Sequence, residues 1–231
     1  MSAVNIIIED RYYTKDPLSS DLGRNIIAES IKMLEHMGYE EFTFKKLATQ
    51  ISSTEASVYR YFENKHKLLL YLATWYWSWL EYMIDYKTHY IKDYRDKLRE
   101  ILKIVCHTEK APDTVNIADL DFNALRRLVQ VESDKTYLTK HVDEINEQGL
   151  FMGFKSLCHK ISEVILKINP KYKYANAMTS TILESSHQQA FFALHLPSLT
   201  EISKDSDTAI ETQVYDFVQD TVFKLIQNTN K

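Results

Sequence analysis

The chain has 231 residues, 45% of them hydrophobic, and a formal net charge of −4 at pH 7. Its four glycines and four prolines are few for the many tight turns of a sheet protein, so the composition favours long helices. The longest uncharged apolar run, 68–80, is shorter than the ~20 residues of a membrane-spanning helix, and the N-terminus lacks the pattern of a secretory signal. We therefore expect a cytoplasmic, all-α protein without membrane contact.

The first helix follows an N-terminal arm, residues 1–18. A strand, an ordered extension and a disordered tail are all compatible with the sequence of this arm. Ser19 or Ser20 then offers an N-cap, and Gly38 stands where a C-terminal glycine cap is expected. Between them, apolar residues recur at helical spacing: Leu22, Ile26, Ile27, Ile31 and Leu34.

Two short helices and a polar turn follow. Thr43 is a potential N-cap for a helix over 44–51, in which one face is apolar through Phe44, Leu47, Ala48 and Ile51. Ser52, Ser53 and Thr54 favour a turn, and 55–62 predicts a second helix with Val58 and Phe62 on its inner side. Asn64 then caps a long helix that starts at Lys65. This order of elements predicts a helix-turn-helix.

The segment 43–67 is basic although the whole chain is acidic. Five basic residues (Lys45, Lys46, Arg60, Lys65 and Lys67) stand against Glu55 and Glu63, a local net charge of +3. A short basic surface on an acidic protein is compatible with binding to DNA phosphates.

The sequence from Phe42 to Lys65 resembles the signature of the tetracycline-repressor (TetR) family of bacterial regulators without gaps. The cap at Thr43, the Leu-Ala pair, Tyr59, Phe62 and Lys65 fall where the family has them. Three positions depart from the pattern: Ser52 replaces the usual Gly of the turn, Ser53 an apolar residue, and Ala56 a frequent Gly or Pro. Ser52 must therefore tolerate the backbone geometry of the turn.

The resemblance implies a set of DNA-contacting residues in and beside the helix-turn-helix. We expect these to be Thr43, Lys45, Thr54, Glu55, Ser57, Tyr59, Arg60, Tyr61 and Lys65. Tyr59 and Lys65 suit phosphate oxygens, whereas Ser57 suits a base edge. Arg60 suits either phosphate or guanine. Glu55 either accepts a hydrogen bond from cytosine or stabilises the helix N-terminus electrostatically.

The remaining chain predicts about six helices: 65–88, 93–108, 121–132, 137–168 with a break near Gly149 or Gly153, 172–195 and 208–228. The last one carries an apolar stripe of Ile210, Val214, Phe217, Val218, Val222, Leu225 and Ile226, and the preceding one is rich in small residues. Two such helices from each of two subunits build an isologous four-helix interface, which is also where TetR-like proteins dimerise. An ordinary intramolecular core is the alternative.

Large aromatic and Met side chains are concentrated around the helix that follows the helix-turn-helix. In TetR-like proteins the corresponding helix borders an effector cavity. We therefore expect a small apolar or aromatic effector to contact some of Trp75, Trp79, Met83, Phe122, Phe154 and Phe191. The alternative is that these side chains only fill the core of the domain.

Other chemistries have little support in the sequence. Cys106 and Cys158 lack a CxxC partner, the eight histidines show no HExxH-type spacing, and no phosphate loop or catalytic motif appears. We expect no metal, no cofactor and no enzymatic activity.

We therefore expect an arm (1–18), a three-helix DNA-binding domain (19–66) and a helical effector-binding and dimerisation domain (67–231). The predicted function is a homodimeric transcriptional regulator, more specifically a repressor, that binds a palindromic operator in double-stranded DNA and responds to a small molecule. The main alternative is an all-helical small-molecule-binding protein with a degenerate DNA reader. A helical enzyme is a third possibility, without a catalytic constellation to support it.

Overall fold

The computed structural model of the protein describes residues 6, 8–108, 121–206 and 208–227. Within these ranges it contains eleven α-helices and no β-strand, which confirms the predicted all-α class. The helices are α1 (Asp21–Glu41), α2 (Phe44–Gln50), α3 (Glu55–Tyr59), α4 (Lys65–Thr88), α5 (Tyr94–Val105), α6 (Phe122–Glu132), α7 (Asp134–Tyr137), α8 (Val142–Glu147), α9 (Met152–Ile168), α10 (Ala175–His195) and α11 (Ile210–Gln227). None of the described helices is long and apolar enough to cross a membrane.

The predicted N-cap of the first helix is present at Ser20, whereas Gly38, predicted as the C-terminal cap, lies inside α1, which ends at Glu41. The hydroxyl of Ser20 accepts a hydrogen bond from the backbone N–H of Gly23 at 3.1 Å, as an N-cap does. Gly38 has φ 75°, a conformation that costs glycine little, and it interrupts the helical geometry of α1 before Tyr39. The chain therefore changes direction at Gly38.

The helix predicted over 137–168 is wrong in part. The expected break is present, because Gly149 adopts φ 73° between α8 and α9. The helix also starts later than predicted, at Val142, because Leu138 and His141 leave helical geometry, and the short helix α7 that precedes them was not expected. Local backbone geometry at these two residues divides the segment, and their side chains carry no strong turn signal.

The described residues group into two compact units. The first comprises Met1–Ser78 and Ala111–Gly153, and the second comprises Trp79–Lys110 and Phe154–Lys231. In the first unit, α1, α2 and α3 surround a core that includes Ile26, Ile31, Leu34, Leu47, Val58 and Phe62. Helix α6 packs along α1 in the same unit.

The described part of the arm is an ordered extension of the first unit. Two short 3-10 helices, Asp10–Tyr12 and Pro17–Ser19, precede α1. The ring of Tyr12 is buried and its hydroxyl donates to the carbonyl of Leu150 at 3.1 Å. The backbone N–H of Thr14 donates to the carbonyl of Tyr61 at 2.8 Å. Residues 1–5 and 7 of the predicted arm lie outside the described residues.

In the second unit, α5 packs against α11, and α11 packs against α10. The stripe predicted for the last helix divides into two sets. Val214, Val218, Val222 and Ile226 are buried at a spacing of four residues, as an intramolecular core requires. Phe217 and Leu225 remain 45% and 47% exposed in the single chain.

Candidate nucleic-acid interface

Two side-chain N-caps start the helices of the helix-turn-helix, and one residue of the turn between them has a strained backbone. The hydroxyl of Thr43 accepts from the backbone N–H of Lys46 at 3.2 Å and starts α2. The hydroxyl of Thr54 accepts from the N–H of Ser57 at 3.2 Å and starts α3. Between them, Ser52 has φ 50°, the left-handed conformation that the usual Gly of the turn adopts easily. The caps matter because α3 has too few residues to be stable alone.

Helix α3 ends earlier than the sequence predicts, at Tyr59 instead of Phe62. Arg60 and Tyr61 continue as a turn, and Phe62 points into the core, where it is fully buried. The buried Val58 and Phe62 therefore belong to different local structures, although their spacing of four residues is helical. This shortens the recognition helix to Glu55–Tyr59.

The outward side of α3 is polar and accessible. Glu55, Ala56, Tyr59 and Arg60 are exposed, and Ser57 is half-buried with its hydroxyl 2.8 Å from that of Thr54. Tyr59 is 48% exposed, because one edge of its ring packs against Phe44 with a centroid distance of 5.0 Å. This contact orients the Tyr59 hydroxyl while the rest of the side chain remains available to a partner.

Fewer of the cations in the segment 43–67 are available to bind DNA than the sequence suggests. The ammonium of Lys46 lies 2.7 Å from the carbonyl of Glu41 and 3.3 Å from its carboxylate. That of Lys67 donates to the carbonyl of Arg11 and the side chain of Gln148, and burial lowers its pKa. Lys45 and Arg60 are exposed and form no ion pair with any described residue. They are the cations of the helix-turn-helix that remain available for phosphate.

Lys65 does not occupy the position expected of a phosphate contact. Its ammonium donates to the carbonyls of Tyr39, Glu40 and Phe42 at 2.8, 3.2 and 3.2 Å. It also lies 4.4 Å from the centre of the Tyr39 ring, a cation–π contact. All three N–H donors of the ammonium are directed at the end of α1, so the expectation that Lys65 binds DNA is corrected. The sequence could not show this, because the carbonyls belong to residues 23 to 26 positions away.

Tyr61 is the second correction. Its side chain is only 2% exposed, and its hydroxyl lies 2.7 Å from that of Ser20 and 3.3 Å from the ammonium of Lys15. The hydrogen bond with Ser20 lowers the pKa of Tyr61. A side chain so buried is not accessible to DNA, and its role is to hold the start of α1 and the arm against the end of the recognition helix.

The residues predicted to bind an effector fall into both units. In the first unit, Trp75 is buried with its ring 6.5 Å from that of Phe122, and its indole N–H has no hydrogen-bond partner among the described residues. In the second unit, Trp79 and Met83 are buried, while Phe154 and Phe191 are half-buried. Two cavities described in the first unit, of about 570 and 710 Å³, are lined by other residues. The effector site remains a prediction.

Among the described residues, no group of three or more His, Cys, Asp or Glu side chains is arranged to hold a metal ion. Cys106 is buried and Cys158 is half-buried, and both are free thiols. Burial raises the pKa of these thiols, to about 12 for Cys106 and about 11 for Cys158. Neither is therefore a reactive thiolate near neutral pH.

Comparison with known proteins identifies the domain that carries this interface. Residues 26–72 match the family of bacterial regulatory proteins named tetR. No curated protein sequence matches the chain. Among solved structures, AibR in complex with isovaleryl coenzyme A and operator DNA is 13% identical, with a TM-score of 0.56 over 87% of this chain and 98% of that chain. Apo AibR, also 13% identical, gives a TM-score of 0.51 over 86% and 96% of the two chains.

A third solved structure, from Mesorhizobium loti MAFF303099, is described as that of a candidate TetR-family transcriptional regulator. It is 13% identical over 88% of this chain and 94% of that chain, with a TM-score of 0.48. Identities of this size establish a common fold with AibR and nothing about ligands. The family match, in contrast, spans the helix-turn-helix.

Proposed function

We propose that the protein is a transcriptional regulator that binds double-stranded DNA through α3, because residues 26–72 match the family of bacterial regulatory proteins named tetR. The observation that carries the proposal is the outward face of this helix. Tyr59 and Arg60 project from a capped helix whose inner side chain, Val58, is buried. Such a surface is suited to the major groove.

The proposed contacts are those expected residues that are accessible: Thr43, Lys45, Thr54, Glu55, Ser57, Tyr59 and Arg60. Lys45 and Arg60 supply the positive charge, and the hydroxyl of Tyr59 suits a phosphate oxygen. Ser57 and Glu55 stand at the start of α3, where side chains of a recognition helix reach base edges. Lys65 and Tyr61 are excluded from the set for the reasons given above.

We further propose that the regulator is a homodimer that recognises a palindromic operator. The support is a set of exposed apolar side chains in α10, in the segment that follows it and in α11 of the second unit: Leu194, Leu196, Leu199, Phe217 and Leu225. A second copy of the same surface would cover these side chains in an isologous interface. Two recognition helices are then expected about one DNA turn (34–36 Å) apart. Phe217→Asp should convert the dimer to a monomer in sedimentation experiments.

The effector in this proposal is a small molecule with an apolar part, and the regulator represses transcription in the cytoplasm without catalysing a reaction. The buried, unpaired N–H of Trp75 supports a ligand with a hydrogen-bond acceptor. AibR binds isovaleryl coenzyme A, which makes acyl coenzyme A compounds the first probes to test. Such a ligand must change DNA affinity and have its own affinity changed by DNA to the same extent.

DNA binding is tested by selecting sequences from genomic fragments and measuring affinity by fluorescence anisotropy at several salt concentrations. Lys45→Gln and Arg60→Gln should each weaken binding and reduce the salt slope by about 1.8, because a dimer loses one phosphate contact in each of the two half-sites. Lys171→Gln, an exposed lysine in the second unit, is the control and should leave both unchanged.

If the selection enriches no genomic DNA sequence over random fragments, the proposed function is refuted. If probes change tryptophan fluorescence but no DNA binds, the protein is instead a small-molecule-binding protein with a degenerate reader. If DNA binds and no bound compound alters its affinity, the effector part of the proposal fails alone.

A further inference from the structure

A buried carboxylate meets the end of α1 inside the first unit. Glu132, the last residue of α6, is only 4% exposed. Its Oε1 accepts a hydrogen bond from the backbone N–H of Tyr39 at 2.9 Å, and its Oε2 lies 2.6 Å from the ammonium of Lys135. Tyr39 directly follows Gly38, where α1 is interrupted. An added Cβ at Gly38 would lie 3.3 Å from Oε1, so the close approach of the carboxylate depends on glycine.

The carbonyl of the same residue is held from another helix. Lys65, the first residue of α4, donates to the Tyr39 carbonyl at 2.8 Å and lies over the Tyr39 ring. The N–H of Tyr39 is thus bound to α6 and its C=O to α4. These two contacts fix the main chain where it leaves α1 and approaches α2, the first helix of the helix-turn-helix.

Burying a carboxylate in this position contributes little to the free energy of unfolding. Removing a charge from water costs several kcal/mol, and an ion pair with one lysine repays this only in part. A neutral acceptor would satisfy the Tyr39 N–H at lower cost. A hydrogen bond to an ionised acceptor is, however, roughly twice as strong as one to a neutral acceptor, so it resists displacement of the groups that it joins.

We propose that Glu132 is a positioning residue of the DNA reader. Through the Tyr39 peptide and Lys65 it holds the end of α6, the end of α1 and the start of α4 in one arrangement, and DNA affinity depends on that arrangement. The inference rests on the proposed DNA binding. It assigns to Lys65 a role inside the protein, acting on the same residue, Tyr39, through its carbonyl.

A second link between α6 and α1 supplies a matched control. Arg127 pairs with Glu35 at 2.5 Å, but these side chains are 47% and 31% exposed, and exposed ion pairs contribute little. Arg127→Gln should therefore leave DNA affinity within about twofold of wild type. It removes a contact between the same two helices without touching the Tyr39 peptide.

The experiment combines amide hydrogen exchange with DNA binding. In Glu132→Ala, the Tyr39 amide should exchange at least about tenfold faster, and DNA affinity should fall about tenfold with an unchanged salt slope, because no phosphate contact is lost. Glu132→Gln keeps an acceptor for the N–H and should restore most of both losses. Slow Tyr39 exchange in Glu132→Ala, or equal losses in Glu132→Gln, would overturn the proposal.

A double-mutant cycle tests whether Glu132 and Lys65 act through the backbone of one residue, Tyr39. Lys65→Met should also weaken DNA binding at unchanged salt slope, and the combination with Glu132→Ala should lose less than the product of the single effects. Independent effects, or a slope reduced by about two in Lys65→Met (one phosphate contact in each subunit), would overturn the shared role and return Lys65 to a phosphate contact. If the wild-type protein binds no DNA, the proposed function fails, while exchange at Tyr39 still tests whether Glu132 holds the peptide.

Discussion

Replacing Ser52 with glycine should stabilise the protein. Ser52 has φ 50° in the turn between α2 and α3, its side chain is exposed, and its hydroxyl has no partner among the described residues. The left-handed conformation costs an L residue roughly 1–2 kcal/mol, which glycine avoids. This gain is reduced by about 0.5–1 kcal/mol, because the unfolded chain has more conformational freedom with glycine than with serine. The net gain in the free energy of unfolding should be about 0.5–1 kcal/mol.

For a chain of this size, such a gain corresponds to a rise in Tm of about 1–4 °C, measurable by calorimetry or by urea denaturation at constant m. Ser53→Gly is the matched control. Ser53 is outside the left-handed region, so glycine there brings only the entropic cost and should destabilise the protein by about 0.5–1 kcal/mol. Equal stability of Ser52→Gly and wild type, or a gain of similar size in Ser53→Gly, would refute the argument from backbone strain.

Three further changes have defined outcomes. Thr54→Ala removes the cap on the N–H of Ser57 and should cost about 1 kcal/mol in unfolding experiments and weaken DNA binding, a result that Thr54→Ser should largely reverse. Tyr61→Phe should cost about 1 kcal/mol without changing the salt slope of DNA binding; a reduced slope would mean that Tyr61 does reach phosphate. Cys106 and Cys158 should resist thiol reagents at pH 8. Because burial raises both folded pKa values, their contribution to stability is complete below the unfolded thiol pKa (~8.5) and declines as pH rises towards about 11–12, so a stability constant from pH 8 to 11 would contradict the sign.

The order of helices and turns in the helix-turn-helix was largely predictable, because the signals for it come from residues close together in the sequence. Thr43, Thr54 and Asn64 each accept a hydrogen bond from a backbone N–H three residues ahead, a relation visible in the sequence. The unusual turn at Ser52 was also expected, from its departure from the family pattern. The early end of α3 was not, because Phe62 follows Val58 at helical spacing although it packs from a turn.

The two site residues that needed correction depended on distant partners. Lys65 and Tyr61 have side chains that suit DNA, and in the sequence nothing opposes that interpretation. In the structure, the carbonyl of Tyr39 and the hydroxyl of Ser20 occupy their polar atoms. The charge count over 43–67 failed in the same way, since it cannot show which cations are already bound.

The sequence by itself determined the all-helical class, the helix-turn-helix and its resemblance to the TetR signature, because helical periodicity, capping and a contiguous signature are properties of neighbouring residues. Only the tertiary structure decided which polar side chains face outward, that Glu132 and Lys65 both bind the backbone of Tyr39, and that the apolar stripe of α11 divides into buried and exposed sets. These depend on contacts between residues far apart in the chain. A polar side chain forms its hydrogen bonds with whichever groups folding brings close to it. The spacing of residues along the chain does not show which groups these are.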